Sequence, residues 1–205
     1  MTKALVILCG GDSTRMGSDK ALLPFKDKCL VEYMYDIYRP YFDKIYLSVK
    51  ERGMYTHLGL DAQELPDIYL NAGPMGGILS SLTMISEDRA YFVSIDTPFL
   101  NPEVGLYLLE NSLNYDITTF KFKGDLLDAI CAVYNKHCIA ALGKCIISHN
   151  VTKSNFQSKC YTNLLPLEDI ETVSKSTLNQ QFFTLNDRNS YYIALFSVIQ
   201  NMRFF

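Results

Sequence analysis

The sequence predicts an α/β fold, namely a three-layer α/β/α, Rossmann-like domain whose sheet is mainly parallel and contains one antiparallel strand. Short apolar runs, several of them rich in β-branched residues, alternate with stretches whose apolar residues recur at helical spacing. Glycine-rich or acidic loops follow several of the apolar runs, as is typical at the carboxyl ends of parallel strands. The 205 residues contain no repeat or linker, so we expect a single domain, 1–205.

The composition narrows the class of protein. Apolar residues make up 48% and charged residues 20% of the chain, which is typical of a folded globular domain. The formal charge is −3 without a basic run, so we expect no nucleic-acid partner, and no apolar stretch has the length of a membrane span. Six cysteines without a C-x-x-C pair argue against a zinc site, and the first residues do not resemble a signal peptide. The expected location is the cytoplasm.

The first elements follow from apolar pattern and breakers. Residues 4–9 are apolar and partly β-branched, and Gly10 and Gly11 end the run abruptly, which predicts a buried strand. Apolar residues recur at helical spacing over 29–38, and Pro40 ends that helix. Three shorter elements are predicted next, a strand over 44–49, a helix within 51–59 and a strand over 61–65.

The middle of the chain repeats the alternation. A second glycine-rich loop, 71–77, leads into a helix with Ile78 and Leu82 on its apolar face. The apolar run 90–95 predicts a strand that delivers Asp96, and a helix over 102–114 follows. Two strands, 116–120 and 127–134, are predicted next, joined by a hairpin turn at Gly124. A helix over 136–148 and a polar, mobile connection over 150–159 follow. The last predicted elements are short extended pieces at 161–165 and 182–185 and a helix over 190–202.

The first loop has the chemistry of a phosphate site. Two glycines after a strand let backbone N–H groups approach an anion, and Arg15 and Lys20 supply cationic donors within a few residues. The alternative interpretation is an ordinary turn with two solvated cations. The Walker A pattern and the dinucleotide fingerprint G-x-G-x-x-G both fail here, which argues against a P-loop enzyme and a dinucleotide-dependent oxidoreductase.

Two further places suit a nucleotide. The glycines of the 71–77 loop precede a helix whose N-terminus favours negative charge, although a tight turn would explain them as well. Asp96 lies at a strand end, where an aspartate either turns the chain or binds a metal beside phosphates. Because both strands are expected in one parallel sheet, Asp96 and the first loop should meet in one crevice.

These motifs resemble those of the molybdenum cofactor guanylyltransferases, nucleotidyltransferases with a glycosyltransferase-A-like fold. The resemblance rests on Leu8-Cys9-Gly10-Gly11, Arg15-Met16-Gly17, Asp19-Lys20-Ala21-Leu22-Leu23, Gly73-Pro74-Met75-Gly76-Gly77 and Asp96-Thr97-Pro98-Phe99. It implies an enzyme that transfers GMP from GTP to the phosphate of molybdopterin, releases pyrophosphate and forms the guanine dinucleotide cofactor. It also implies Mg²⁺ as cofactor, and GTP and molybdopterin as substrates. Transient contacts with other proteins of molybdenum cofactor biosynthesis are expected as well.

The resemblance implies roles for individual residues. Arg15, Lys20 and Asp96 would be catalytic, and Asp96 would hold the metal. The residues expected to bind the nucleotide are Leu8, Cys9, Gly10, Gly11, Lys20, Ser48, Asp67, Gly73, Gly77 and Asp96. Asn186 would face the acceptor. For Asp67, a turn or helix-capping role after Pro66 is the alternative.

The chain departs from the family pattern in places that concern the acceptor. The family has Asn-x-Asn-x-Pro-Glu where this chain has residues 184–188, of which only Asn186 is retained, and Ser48 stands where asparagine is usual. Residues 128–131 also differ from the family's stretch. The alternatives are another nucleotidyltransferase of the superfamily, acting on molybdopterin with CTP or on a sugar or isoprenoid phosphate, and a non-catalytic nucleotide-binding module.

Overall fold

The computed structural model describes residues 2–10, 19–69, 72–122, 125–126, 131–148 and 153–199. Its strands are β1 (Ala4–Leu8), β2 (Pro24–Phe25), β3 (Lys28–Cys29), β4 (Lys44–Val49), β5 (Gln63–Pro66), β6 (Arg89–Ser94), β7 (Ile117–Phe122), β8 (Asp125–Leu126), β9 (Cys131–Asn135) and β10 (Thr162–Pro166). Its helices are α1 (Leu30–Tyr38), α2 (Gly73–Met84), α3 (Pro102–Glu110), α4 (Cys138–Ile147), α5 (Lys153–Gln157), α6 (Asp169–Ser174), α7 (Leu178–Gln181) and α8 (Arg188–Ile199).

The main sheet has the strand order β10-β7-β9-β6-β1-β4-β5, and β8 pairs with β7 at the side. Strand β9 runs antiparallel to both β6 and β7, whereas the other pairs along this path are parallel. Strand β1 lies between β4 and β6 and pairs Leu8 with Ser48 of β4 on one side and with Ser94 of β6 on the other. The mainly parallel sheet is therefore confirmed, with β9 as the one antiparallel strand along this path. The short strand β8 at the side also pairs antiparallel with β7.

Side chains of β1 alternate between two apolar cores, which explains why this strand is apolar throughout. Leu5 and Ile7 pack on the face that α1, α3 and α8 cover. Val6 and Leu8 pack on the opposite face, which α2 and α4 cover. The sheet is thus buried between two helical layers, and the three-layer architecture is confirmed.

The structure differs from the sequence-based expectation mainly after residue 150. The connection expected over 150–159 is wrong in its described part, because α5 forms there and buries Phe156 in the core. Helices α6 and α7 were not expected, and the piece expected as extended at 182–185 is irregular backbone. A small antiparallel hairpin of β2 and β3 was also missed. In the described part of the chain, no helix has both the length and the apolarity required to span a membrane.

Candidate functional site

Four neighbouring strands bring the predicted residues to one edge of the sheet. Backbone hydrogen bonds fix the ends of these strands relative to one another, from Cys9 N to the Ser48 carbonyl (3.0 Å), from Ile95 N to the Leu8 carbonyl (3.1 Å) and from Asp67 N to the Val49 carbonyl (2.8 Å). These bonds continue the parallel ladder just past the strands. The carboxyl ends of β1, β4, β5 and β6 therefore form one crevice, which is where ligands bind in open α/β sheets.

One side of the crevice is a cradle formed by Leu8, Gly10, Ser48, Asp67 and Gly77. A Cβ atom added to Gly77 would lie 2.9 Å from Ser48 Oγ, 3.3 Å from Leu8 Cδ2 and 3.4 Å from Asp67 Oδ1. A Cβ added to Gly10 would lie 3.4 Å from the other carboxylate oxygen, Oδ2 of Asp67. Glycine at these two positions keeps the backbone close to the two polar side chains, so these five residues, all predicted to bind the nucleotide, lie together.

Asp67 is the ionisable group of this cradle. Burial raises the pKa of its carboxyl group, although a hydrogen bond from Ser48 and the charge of Lys50 act in the opposite direction. The Ser48 hydroxyl is buried and lies 3.5 Å from Asp67 Oδ1, which is long for a hydrogen bond. The carboxylate therefore retains unused acceptor capacity, and a hydroxyl or N–H donor of a nucleoside could use it.

The N-terminus of α2 forms the floor beside this cradle. The helix begins at Gly73, whose φ of +57° is a conformation that favours glycine. Its N-cap residue, Ala72, provides no side-chain cap, and a Cβ added to Gly76 would lie 2.6 Å from the carbonyl oxygen of Tyr69. Glycine at positions 73 and 76 therefore leaves the backbone of the first turn without a Cβ atom at these two places. The free N–H groups of this turn suit an anionic or polar ligand.

The other side of the crevice contains Lys20 and Asp96. Lys20 Nζ lies 2.9 Å from Asp96 Oδ1, and it also donates to the carbonyl oxygen of Leu185 at 3.0 Å. The two side chains are 16% and 29% exposed, so the pair is partly shielded from water but still accessible to a ligand. Gly11 and Arg15, which were predicted to complete this side, lie outside the described residues.

The donor set at Asp96 is compatible with a divalent metal. No cluster of three or more metal-binding side chains exists among the described residues. A single carboxylate nevertheless fits Mg²⁺, which typically keeps water ligands and binds to one or two carboxylates together with substrate phosphates. Lys20 beside the carboxylate supplies the second positive charge that a polyphosphate would need.

Two predicted residues have positions that limit their roles. The Cys9 thiol is buried in the core on the α1 side and contacts the Ile7 carbonyl, so Cys9 could touch a nucleotide only through its backbone. Burial, reinforced by Asp19 and Glu64, raises the pKa of this thiol. Asn186 is exposed, and its neighbour Leu185 donates its N–H to the Asp96 carbonyl at 2.8 Å. Asn186 thus directly follows in sequence the residue that contacts both Lys20 and Asp96.

No role was predicted from the sequence for three contributors to the site, namely Asp19, which was named only as part of a motif, Tyr55 and the Leu185 carbonyl. Asp19 could have been identified as a capping residue before the short 3₁₀ turn Lys20–Leu22, because its side chain accepts from Ala21 N. Tyr55 and Leu185 gave no signal, since their contacts join distant parts of the chain. A cavity of about 240 Å³ lies beside Tyr55 and Glu64, and neither Lys20 nor Asp96 lines it.

The chain is similar to several known proteins. A family model described as the MobA-like NTP transferase domain matches residues 5–158. The chain is 30% identical to a probable molybdenum cofactor guanylyltransferase of Pelotomaculum thermopropionicum over 88% of this chain and 86% of that protein. It is 32% identical to a protein of the same description from Clostridium perfringens, with 92% and 94% covered.

A solved structure has the same fold. Molybdopterin-guanine dinucleotide biosynthesis protein A from Archaeoglobus fulgidus superposes with a TM-score of 0.82 at 20% sequence identity, covering 97% of this chain and 100% of that chain. At this identity the likeness shows the fold alone. The similarity to all three proteins extends over nearly their whole length.

Proposed function

Because this chain belongs to the family of MobA-like NTP transferase domains, we propose that it transfers GMP from GTP to the phosphate of molybdopterin. The reaction releases pyrophosphate and forms the molybdopterin guanine dinucleotide. The observation that carries the proposal is the Lys20–Asp96 pair, with 2.9 Å between Nζ and Oδ1, at the sheet edge that also holds Ser48 and Asp67. Relatives at least 30% identical over most of the chain have names that support the same reaction.

The main task of this site is electrostatic. A phosphate nucleophile must approach the α-phosphorus of a triphosphate, although both partners are anions. Lys20 is held by two acceptors, so its charge is oriented before a nucleotide binds. We propose that this charge stabilises the negative charge that increases on the departing pyrophosphate. We propose that the Gly10–Gly11 backbone and Arg15 bind the same phosphates. No general base is required, because the attacking phosphate is already ionised at pH 7.

A divalent cation is the second source of positive charge, and we propose Mg²⁺ bound by Asp96. When bound, the ion would neutralise and orient the phosphates. The residues of the chain have complementary tasks. The third N–H of the Lys20 ammonium group contacts a phosphate, since only two are used by Asp96 and Leu185. Asp67 accepts from the nucleoside, and the 73–77 backbone binds the base and ribose. Asn186, beside Leu185, contacts the acceptor.

Product formation tests the proposal directly. The protein is incubated with molybdopterin and GTP, CTP, ATP or UTP, with Mg²⁺ or with EDTA, and both pyrophosphate and the dinucleotide product are quantified. We expect product with GTP and Mg²⁺ and none with EDTA. The Asp96→Ala variant should lose turnover while its thermal unfolding stays close to that of the wild type, because Asp96 is partly exposed.

The alternatives predict different results. A preference for CTP would retain the mechanism and change the product. Turnover of GTP with a sugar phosphate instead of molybdopterin would change the acceptor, which is the side where residues 184–188 depart from the family pattern. Nucleotide binding without pyrophosphate release would identify a binding module and overturn the proposal.

We also propose that the enzyme works in the cytoplasm and contacts other proteins of molybdenum cofactor biosynthesis transiently. All six cysteines are free, as is usual in a reducing compartment. Exposed apolar side chains on α8, including Tyr192, Ile193 and Phe196, form a surface where such contacts can be tested first.

A further inference from the structure

The short turn that carries Lys20 depends on Asp19. The 3₁₀ turn Lys20–Leu22 has only three residues, and Asp19 precedes it in extended conformation. One oxygen of the Asp19 carboxylate, Oδ1, accepts from Ala21 N at 3.0 Å. Because so short a turn contains few hydrogen bonds of its own, this cap contributes directly to the direction in which Lys20 leaves the backbone.

The second oxygen of the same carboxylate is held from a distant loop. The hydroxyl of Tyr55 donates to Asp19 Oδ2 at 2.9 Å, across 36 positions of the chain. Tyr55 is 2% exposed, and burial raises the pKa of its hydroxyl, with Cys9 and Asp19 acting in the same direction. The hydroxyl therefore stays protonated and remains a donor at neutral pH.

Glu64 in turn fixes the loop of Tyr55. Its carboxylate accepts from the backbone N–H of Tyr55 at 2.7 Å, and from the backbone N–H of Gly53. The Thr56 hydroxyl lies 3.4 Å from the same carboxylate. Glu64 is on β5, three positions before Asp67 of the cradle. A chain of hydrogen bonds therefore joins β5 to the 3₁₀ turn that carries Lys20.

We propose that Tyr55 is a positioning residue for nucleotidyl transfer, since its hydroxyl orients Asp19 and thereby keeps Lys20 directed at Asp96. This inference rests on the proposed function. A role in packing alone would require only the aromatic ring of Tyr55, because the ring and not the hydroxyl fills the core. The hydroxyl is therefore the part of the side chain to test.

The experiment compares Tyr55→Phe with Tyr107→Phe. Tyr107 donates to Asp169 Oδ2 at 2.7 Å, so the control removes a tyrosine–aspartate hydrogen bond outside the site. With molybdopterin present as the acceptor, we expect Tyr55→Phe to lower kcat for pyrophosphate release from GTP by about 10-fold, the lower end of the loss seen when the partner of a metal ligand is removed, with a smaller change in KM for GTP. Tyr107→Phe should retain the wild-type kcat.

A second pair of variants shows whether the effect passes through Asp19. Asp19→Ser keeps a capping oxygen for Ala21 N but is too short to replace the carboxylate that Tyr55 contacts. We expect Asp19→Ser to lower kcat, and the double variant Asp19→Ser/Tyr55→Phe to be no slower than Asp19→Ser alone. Multiplying effects, or a Tyr55→Phe enzyme as active as Tyr107→Phe, would overturn the inference. If Tyr55→Phe does not fold, the kcat of Asp19→Ser is the test. A wild-type kcat in this variant would overturn the inference, because Tyr55 could then not act through Asp19.

A crystal structure of nucleotide-free Tyr55→Phe gives a readout that does not depend on activity. We expect a displaced Asp19 carboxylate and a Lys20–Asp96 distance longer than the 2.9 Å of the wild type. An unchanged turn would contradict the inference even if the wild-type enzyme released no pyrophosphate from GTP. A wild-type enzyme without turnover would contradict the proposed function. The positioning role of Tyr55 would still be tested separately, by the geometry of the turn in the variant.

Discussion

Lys20 is the residue whose charge the proposed reaction uses most directly. Its ammonium group is held by Asp96 and by the Leu185 carbonyl, so it is oriented before any nucleotide binds. We expect Lys20→Ala to lower kcat/KM for pyrophosphate release by the equivalent of at least about 2–4 kcal/mol, the cost of losing one donor to a developing anion.

A matched control for this variant is Lys28→Ala. Lys28 forms an ion pair with Asp36, but both side chains are exposed and belong to the β3–α1 surface. Exposed ion pairs contribute little, so activity and stability should stay near wild type. Near-normal activity of Lys20→Ala, or an equal loss in both variants, would contradict the role given to Lys20.

Asp67 allows a prediction about pH. Because burial raises the pKa of this carboxyl group, the folded protein keeps its proton at pH values where the unfolded chain has already released it. Stability contributed by this group therefore falls as the pH rises through that interval, and the ionised carboxylate costs stability at neutral pH. We expect Asp67→Asn to raise the Tm at pH 7, with a gain that disappears below about pH 3.9.

The same substitution should weaken Mg–GTP binding, measured by calorimetric titration, since the cradle loses its charged acceptor. Asp187 is a control of opposite sign. Hydrogen bonds from Ser190 lower its pKa, so its contribution is present at neutral pH and is lost as the pH falls through the lowered value. Asp187→Ala should therefore reduce the Tm at pH 7. A lower Tm for Asp67→Asn at pH 7 would contradict the predicted stabilisation by this substitution.

At the scale of elements, the closeness of α2 to the strand ends makes Gly77 a sensitive position. A methyl group there would lie 2.9 Å from Ser48 Oγ and would displace either the hydroxyl or the helix. We expect Gly77→Ala to reduce GTP affinity by about 10-fold or more, measured by titration with Mg–GTP, because a small shift of a binding group has large effects.

Gly143 in α4 provides the control, since a Cβ atom there would meet nothing within 4 Å. Gly143→Ala should stabilise the fold by roughly 0.5–1 kcal/mol, as expected for alanine in a helix, and leave GTP binding unchanged. If Gly77→Ala also bound GTP normally, the first turn of α2 would not belong to the nucleoside site.

The elements also show how far the sequence alone can lead. Strands β1 and β6 were predicted because their runs are strongly apolar and are followed by Gly10 and Asp96, respectively. Helices α6 and α7 were missed because distant contacts stabilise them. Gln181, for example, accepts the backbone N–H of Asn101 at 2.8 Å. A hydrogen bond between residues 80 positions apart cannot be predicted from the local sequence pattern.

The candidate site divides in the same way. Glycines and charged residues within one loop or at one strand end can be recognised from sequence, and the structure brings Gly10, Asp67 and Gly77 together as expected. The contacts from Tyr55 to Asp19 and from Lys20 to Leu185 could not be predicted. They depend on how the chain folds back on itself, and they determine the orientation of groups whose presence the sequence already indicates.

At the scale of the whole molecule, the sheet couples the site to both cores. Strand β1 lies in the interior of the sheet between β6 and β4, packs into the core on each face and ends in the crevice. A change that binding imposes at the end of β1 therefore affects both helical layers. We expect calorimetry and circular dichroism to report one cooperative unfolding transition with the same midpoint, as for a single domain.

Mg–GTP should raise the midpoint of that transition. At a free nucleotide concentration 100 times the Kd, the native state gains about 2.7 kcal/mol, which corresponds to about 5–11 °C for a domain of this size. The shift should be larger with Mg²⁺ than with EDTA, and smaller in Asp96→Ala, because the metal-binding carboxylate is then missing. Two transitions of which only one moves would show that the site belongs to a separately folding unit. An unchanged midpoint at saturating GTP would mean that the crevice does not bind this nucleotide.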